Sequence, residues 1–263
     1  MAETDKLFWR KAGRVGIVTF NNPERHNAVS LEMWETLGTL LEQAERDAEV
    51  RVLVLTGAGG KAFVSGADIS KFEDERATAA AVARYGATTE RIYNAVHQFP
   101  KPTLAMIRGY CIGGGLALAL CCDLRICSED SRFALPAAKL GLGYDLRGLR
   151  RLAEAVGPAF TKEILFTARQ FTAAEARDMG LVNRVVASAE LERHVTDYAD
   201  GIASNAPLTV DSVKFIIGEL LKDEAERDLA ACAARVQRCN ESRDYVEGRR
   251  AFLEKRKPLF SGS

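Results

Sequence analysis

The amino-acid sequence predicts an α/β fold with sheets that are covered on both faces. Near the N-terminus, residues 14–20 and 50–56 are apolar stretches of strand length, and residues 30–47 between them have helical periodicity. The same order of strand, helix and strand recurs around residues 103–107. Residues 103–107 are mostly apolar, as expected for a strand that is buried on both faces. Together these observations favour an α/β core.

The first helix has a recognisable start and one apolar face. Ser30 is a favoured N-cap residue type, and we expect the helix to run to about Asp47. Its apolar residues recur at helical spacing, and they are Leu31, Trp34, Leu37 and Leu41.

The C-terminal part is predicted to be helical from about Glu190 onwards. Val195, Tyr198 and Ile202 have helical spacing, and Pro207 starts a second apolar series. The last helix, predicted to end near Lys257, mixes basic and acidic residues. A basic helix end can bind nucleic acid, but the interleaved acids favour a solvated helix with cations at its C-terminal end.

Length and composition favour a cytoplasmic protein with a core of ordinary size. The 263 residues suit one large domain or a domain with an appendage. Lys+Arg and Asp+Glu both number 36, so bulk charge indicates no polyanionic partner. No apolar run is long enough to span a membrane, and the N-terminus is not a signal peptide. The six cysteines lack metal-binding spacing and are interpreted as reduced core residues.

A triple glycine divides a predicted strand from a predicted helix at the centre of the chain. Gly113 to Gly115 have no side chains to cover their backbone, and residues 116–122 are apolar on all sides. Free N–H groups at such a buried helix start are suited to an oxyanion. The alternative is a tight strand–helix junction without a ligand. The glycine-rich loop at residues 57–69 fits no nucleotide-binding fingerprint, and alone it is consistent with an ordinary connection.

Together the two glycine-rich stretches are far more informative about the protein family than either stretch alone. Residues 63–69 are Phe-Val-Ser-Gly-Ala-Asp-Ile, and residues 109–119 are Gly-Tyr-Cys-Ile-Gly-Gly-Gly-Leu-Ala-Leu-Ala. This pair resembles the enoyl-CoA hydratase/isomerase (crotonase) family. The resemblance extends to residues 22–28, 166–183 and 252–258, and thus covers nearly the whole chain.

The resemblance implies a spiral of ββα units followed by a helical C-terminal region used in trimer packing. We therefore expect a spiral core at residues 1–199 and a helical region at residues 200–263. It also implies a homotrimer or a hexamer built from two trimers. The implied ligand is an acyl-CoA thioester, with coenzyme A as part of the substrate and no separate cofactor or metal.

By the same resemblance, the N–H groups of Ala67 and Gly114 hold the thioester carbonyl. Preorganised donors of this kind stabilise a developing oxyanion by roughly 3–4 kcal/mol each. The adjoining substrate-binding residues are Ser65, Gly66 and Gly113. The residues expected to line coenzyme A are Arg25, His26, Asp68, Ile69, Phe252 and Lys255, the last two often from a neighbouring subunit. For each of these side chains the alternative is solvated surface or packing.

Two positions depart from the pattern of typical hydratases. Those enzymes carry glutamates where this chain has Ala117 and Ala137. Two carboxylates hold and activate water in hydration, and alanine can do neither. The resemblance thus predicts an enzyme that can polarise a thioester but lacks the usual means of handling water.

One acid remains nearby. Asp145 matches a proton-shuttling aspartate in the dienoyl-CoA isomerase branch of the family, although that branch also has acids at positions 117 and 137. The alternative is a loop acid paired with Arg147 or Arg150. Tyr144 is either a pocket wall or a second donor. An enolate-forming isomerase or hydratase is expected, and an acyl-CoA hydrolase, a C–C lyase or a catalytically weak acyl-CoA- or RNA-binding relative remain as alternatives.

Overall fold

Two sheets form the centre of the molecule. The structure, a computed structural model, describes residues 5–71 and 77–263. The strands are β1 (Leu7–Ala12), β2 (Val15–Phe20), β3 (Val52–Gly57), β4 (Ala62–Val64), β5 (Thr103–Ile107), β6 (Tyr110–Ile112), β7 (Leu124–Ser128), β8 (Arg132–Ala134), β9 (Phe171–Thr172) and β10 (Arg184–Val186). The larger sheet has the order β1-β2-β3-β5-β7-β10 and the smaller one β4-β6-β8-β9. Only the edge strands β1 and β9 are antiparallel to their neighbours among these described strands.

Ten α-helices are described. They are α1 (Leu31–Arg46), α2 (Ala79–His97), α3 (Gly114–Cys121), α4 (Ala137–Leu140), α5 (Leu146–Thr167), α6 (Ala173–Asp178), α7 (Leu191–Ala203), α8 (Pro207–Leu220), α9 (Leu229–Asn240) and α10 (Arg243–Leu253). Successive turns of the chain place one strand in each sheet and then a helix, as in β3-β4-α2 and β5-β6-α3. This is the α/β spiral of ββα units expected from the sequence.

Strand β5 of the larger sheet is buried on both faces, as predicted. Ala105 and Ile107 of β5 belong to the main core, which lies beneath α1, α2 and α3. Leu104 belongs to a second apolar cluster with Val195 and Ala199 of α7. Because side chains alternate along a strand, β5 contributes apolar residues to both clusters. Residues 103–107 therefore read as a nearly continuous apolar run.

The predicted limits of the first helix and of the helix after the triple glycine agree with the structure to within two residues, and the predicted end of the last helix agrees less well. The Ser30 side chain caps α1 by accepting a hydrogen bond from the N–H of Met33, as predicted. The helix expected at residues 116–122 begins two residues earlier, at Gly114, because the glycines themselves form its first turn. The last helix ends at Leu253 rather than near Lys257, and Lys255 has a left-handed φ of 52°.

The C-terminal helices leave the core only after α7. The predicted boundary between residues 199 and 200 lies within α7, which packs on the larger sheet as far as Ala203. Helix α8 is tied to the core by Lys214, whose ammonium lies 2.7 Å from a carboxylate oxygen of Asp123. The basic side chain of Arg256 is paired with Glu247 and Glu254, so the acids near the chain end neutralise it.

The cysteines are free, and four of the six are buried. Burial raises the pKa of Cys121 and Cys127 to about 12, so these thiols stay protonated at neutral pH. Among the described helices, none has both the length and the apolar character that crossing a bilayer requires.

Candidate active site

Two backbone segments that the sequence places far apart meet beside the triple glycine. A Cβ added to Gly114 would lie 3.6 Å from the Cα atom of Gly66, and a Cβ added to Gly66 would lie 3.6 Å from the Gly114 nitrogen. Ala67 follows Gly66 directly. The backbone amides of Ala67 and Gly114 are therefore neighbours in space.

The orientation of the Ala67 amide follows from a short parallel bridge to Val29. The Val29 N–H donates to the Gly66 carbonyl at 2.8 Å, and the Asp68 N–H donates to the Val29 carbonyl at 3.0 Å. A parallel bridge of this form uses the residues that flank Ala67. The N–H of Ala67 thus points away from Val29 and is left for another acceptor.

The Gly114 amide is left unpaired by helix geometry. Gly113 is the N-cap of α3 with φ 56° and ψ −119°, a conformation that glycine adopts without steric cost. The first intrahelical bond runs from the Ala117 N–H to the Gly113 carbonyl, at 3.0 Å. The N–H of Gly114 lies in the first turn, where no intrahelical acceptor exists. Gly115 is required for packing, because a Cβ there would lie 2.0 Å from the Val64 carbonyl oxygen.

A cavity of about 280 Å³ lies next to Gly114. Ala117, one turn further along α3, lines it together with Leu135, and the Tyr93 hydroxyl donates to the Gly114 carbonyl at 3.1 Å. Tyr144 and Asp145 line the same cavity. Ala137 is buried but is not among the lining residues.

Both tyrosines of this cavity keep their protons at neutral pH. Burial raises the pKa of Tyr144 to about 12, and the nearby charge of Asp145 adds to this effect. Burial also raises the pKa of Tyr93 well above its usual value. These phenols are therefore hydrogen-bond donors, and neither is ready to act as a base.

Asp145 is the N-cap of α5. Its Oδ1 atom accepts a hydrogen bond from the Gly148 N–H at 2.7 Å. The pairing with Arg147 or Arg150 considered from the sequence does not form, because Arg147 pairs with Glu90 and Arg150 with Glu154. The second carboxylate oxygen accepts no hydrogen bond from the described residues, and the side chain is exposed at the cavity.

The first polar turn packs against the segment that carries Ala67. The Ser65 N–H donates to the His26 carbonyl at 3.2 Å, and the Ser65 hydroxyl donates to the Arg25 carbonyl at 3.3 Å. The Arg25 guanidinium lies 3.3 Å from the carboxylate of Asp68, which is only 3% exposed. The structure thus brings Arg25, His26, Ser65 and Asp68 together beside the two amides. The side chain of Ile69 lies outside the described part of the chain.

Phe252 and Lys255 are not brought to this site within one chain. Phe252 is 83% exposed at the end of α10, and Lys255 lies just beyond that helix. Neither lines the cavity beside Gly114. Their expected role in binding coenzyme A stays a prediction that requires a second subunit.

Sequence reasoning missed one side of the cavity. Gly86, Thr89, Glu90 and Tyr93 line it from α2, and Arg151 lines it from α5. The α2 residues have the i, i+3, i+4, i+7 spacing of one helix face, which is the signal that could have grouped them. Nothing in that spacing indicates which other element the face would meet.

Larger cavities lie elsewhere, and two of them lie against the core. One of about 460 Å³ lies between the larger sheet and α7, and one of about 820 Å³ lies between α5 and α8. Neither is lined by Ala117 or Asp145. The cavity of about 280 Å³ combines a carboxylate with apolar walls, and Tyr93, which lines it, donates a hydrogen bond to the Gly114 carbonyl. Within residues 5–71 and 77–263, no group of three or more His, Cys, Asp or Glu side chains is arranged to hold a metal ion.

Many known proteins are similar to this chain in sequence and in fold. The family model described as enoyl-CoA hydratase/isomerase matches residues 10–263. The chain is 33% identical to a short-chain-enoyl-CoA hydratase of Clostridium acetobutylicum, with 97% of each chain covered. It is 34% identical to a peroxisomal Δ(3,5)-Δ(2,4)-dienoyl-CoA isomerase of Arabidopsis thaliana, covering 92% of this chain and 90% of that one.

The solved structures agree with the sequence relatives. A crystal structure of an enoyl-CoA hydratase/carnithine racemase from Magnetospirillum magneticum superposes with a TM-score of 0.93 and 36% identity, over 99% of this chain and 97% of that one. An enoyl-CoA hydratase structure from Bacillus anthracis gives a TM-score of 0.90 at 31% identity, over 98% and 100% of the two chains. The match to the family model, the sequence identities and the shared fold agree, and the chain belongs to the enoyl-CoA hydratase/isomerase family.

Proposed function

We propose that this enzyme binds an acyl-CoA thioester, polarises its carbonyl between the N–H groups of Ala67 and Gly114, and moves a proton with Asp145. The observation that carries this proposal is the contact between Gly66 and Gly114, one helical turn from Ala117, which lines the same cavity as Asp145. The two amides stabilise negative charge on the thioester oxygen, and the carboxylate transfers a proton to and from carbon.

The proposed reaction is a proton shift through an enolate. The Asp145 carboxylate removes a proton from the carbon adjacent to the thioester carbonyl of an unsaturated acyl chain. The electron pair of that C–H bond forms the C=C bond of a conjugated enolate, and the π pair of the carbonyl moves onto the oxygen. The two N–H groups stabilise the resulting oxyanion. The carboxylic acid then returns the proton to another carbon of the enolate. One carboxylate suffices for this sequence, which suits a site with alanine at positions 117 and 137.

Hydration, hydrolysis and C–C bond cleavage are the alternative reactions. All of them build charge on a thioester oxygen and use the same two amides, but each needs further groups. A panel of enoyl-CoA thioesters, followed by loss or gain of the conjugated-enoyl absorbance and by chromatography of the products, distinguishes a double-bond shift from addition of water. If no thioester in the panel is converted or bound, the proposal is wrong.

Ala67→Pro should reduce turnover of the best thioester by about 10²–10³-fold. Proline has no N–H, so the variant loses one of the two oxyanion donors, and removal of one such donor costs this much in known enzymes. The rate is measured under saturation with circular dichroism as a check on folding. Ala67→Gly keeps the N–H and serves as the control. A folded Ala67→Pro enzyme within a few-fold of wild type would refute the oxyanion assignment.

We further propose that the enzyme is a homotrimer or a hexamer of two trimers. Helices α8 and α9 expose the large apolar side chains Val213, Ile217, Leu220, Leu229 and Val236. Exposed apolar faces of this extent are typical of subunit contacts. In such an assembly Phe252 and Lys255 would reach the coenzyme A of a neighbouring subunit.

Light scattering at micromolar concentration should give three or six times the chain mass of 28.8 kDa. Val213→Glu combined with Leu220→Glu places two charges on α8 and should lower that mass, because charges at the centre of an interface are costly to bury. Val82→Glu changes an equally exposed side chain on α2 and serves as the control. A wild-type protein that is cleanly monomeric contradicts the proposal.

A further inference from the structure

Three residues separate the small cavity beside Gly114 from the large one next to α8. Leu120, Arg147 and Arg151 line both the cavity of about 280 Å³ and the cavity of about 820 Å³. Together we name these three residues the partition. The two cavities therefore adjoin at the partition.

The two arginines of the partition are anchored on α2. Arg147 forms an ion pair with Glu90, and an Arg151 guanidinium nitrogen lies 2.5 Å from the Asn94 side-chain oxygen. Glu90 and Asn94 are four residues apart and so lie on one face of α2. The partition thus bridges α2 and the first turns of α5, and its two contacts hold it across the end of the cavity.

The partition is polar where an extending acyl chain would meet it. The cavity has apolar lining at Ala117, Leu120 and Leu135, and Arg147 and Arg151 also line it. Leu120 lies nearly two turns further along α3 than Gly114, so the partition lies on the side of the cavity away from Gly114. Arg147 is 64% exposed and so remains hydrated in the free protein. An apolar chain that passed between the arginines would remove water from them without supplying a hydrogen-bond acceptor, which is unfavourable.

We propose that Arg147, held by Glu90, limits the acyl pocket to short chains and is a specificity-determining residue of the enzyme. The inference rests on the proposed function, because it takes the cavity beside Gly114 as the acyl pocket. It goes beyond that function by assigning a substrate class, short-chain acyl-CoA thioesters, and a physical limit to chain length.

Calorimetric titration of the full-length protein with butanoyl-CoA, decanoyl-CoA and coenzyme A alone tests this limit. Saturated thioesters are bound but cannot shift a double bond, so the result does not depend on which reaction is catalysed. For wild type we expect decanoyl-CoA to bind no more tightly than butanoyl-CoA. For Arg147→Leu, which opens the partition and removes its charge, we expect the affinity ratio of decanoyl-CoA to butanoyl-CoA to rise at least tenfold.

Three further variants separate charge from general perturbation. Arg147→Lys keeps a cation and should keep the wild-type ratio, whereas Glu90→Gln releases Arg147 and should raise the ratio by a smaller factor. Arg84, also on α2, forms an exposed ion pair with Glu35, and neither residue lines either cavity. Arg84→Leu should therefore leave the affinity ratio unchanged. Thermal melting establishes that each variant is folded.

The outcomes are distinguishable. A wild-type protein that binds decanoyl-CoA at least tenfold more tightly than butanoyl-CoA overturns the chain-length limit. A folded Arg147→Leu protein with the wild-type ratio overturns the assignment of Arg147. If both thioesters bind no more tightly than coenzyme A itself, the acyl pocket is wrongly placed, and the failure lies with the proposed function.

Discussion

Hydration of crotonyl-CoA by this enzyme should be slower by orders of magnitude than hydration by an ordinary enoyl-CoA hydratase. Each general acid–base group contributes about 10²–10⁴-fold, and both positions that the family resemblance predicts to carry such groups are alanine here. The structure gives no compensating carboxylate at either position. Ala117 lines the cavity with only a methyl group, and Ala137 is buried nearby.

A parallel assay with the short-chain-enoyl-CoA hydratase of Clostridium acetobutylicum supplies the reference rate. Ala117→Glu combined with Ala137→Glu reintroduces both carboxylates and should raise the hydration rate at least tenfold over wild type, provided that the variant folds. Comparable rates for the wild-type protein and the reference enzyme would show that another group activates water, and Glu90 would be the first to replace.

The parts of the fold with strong local signals were predictable from the sequence. The Ser30 cap, the apolar face of α1 and the apolar run of β5 depend on residues that are neighbours along the chain. The predicted start of α3 was two residues too late, because glycine has a low helix propensity. Glycine is nevertheless required at position 115, where the backbone of β4 approaches closely. Tertiary packing therefore decided that boundary.

The short strands of the smaller sheet were the hardest elements to predict. Strand β4 has three residues and lies within a stretch read as a glycine-rich loop, since three residues are too few to show alternation. Strand β6 precedes the triple glycine and was recognised only as a strand that contains Cys111. Strand β6 pairs with both β4 and β8. Because these strands are far apart in the sequence, their pairing could not be predicted from local patterns.

The candidate site likewise contains parts that could be predicted from the sequence and parts that could not. The Ala67 and Gly114 segments were expected to form one site only through the family resemblance, and the structure brings Gly66 and Gly114 into contact. The partners of Asp145 could not be assigned, because side-chain pairing between α2 and α5 is not visible in either segment. Only the structure shows that Arg147 pairs with Glu90. Asp145 caps a helix instead, and one of its carboxylate oxygens accepts no hydrogen bond from the described residues.

Asp145→Asn should lower turnover of the best thioester at least about 10²-fold while thioester affinity stays within about threefold. Asparagine is as good an N-cap as aspartate, so the hydrogen bond from the Gly148 N–H and the start of α5 are retained. The amide cannot accept the substrate proton, so the loss falls on the chemical step. Turnover is followed by the change in enoyl absorbance and affinity by calorimetry.

The chain offers a matched control for this substitution. Asp228 is the N-cap of α9 and accepts a hydrogen bond from the Ala231 N–H at 2.8 Å, and it lines none of the three cavities described above. Asp228→Asn makes the same chemical change at a cap remote from the site and should leave turnover unchanged. Asp145→Ala removes both the cap and the carboxylate, so it should lose about 1 kcal/mol of stability in addition to turnover. If Asp145→Asn keeps both turnover and affinity, Asp145 is a structural cap, and proton transfer must be assigned to Tyr144 or to water held in the cavity.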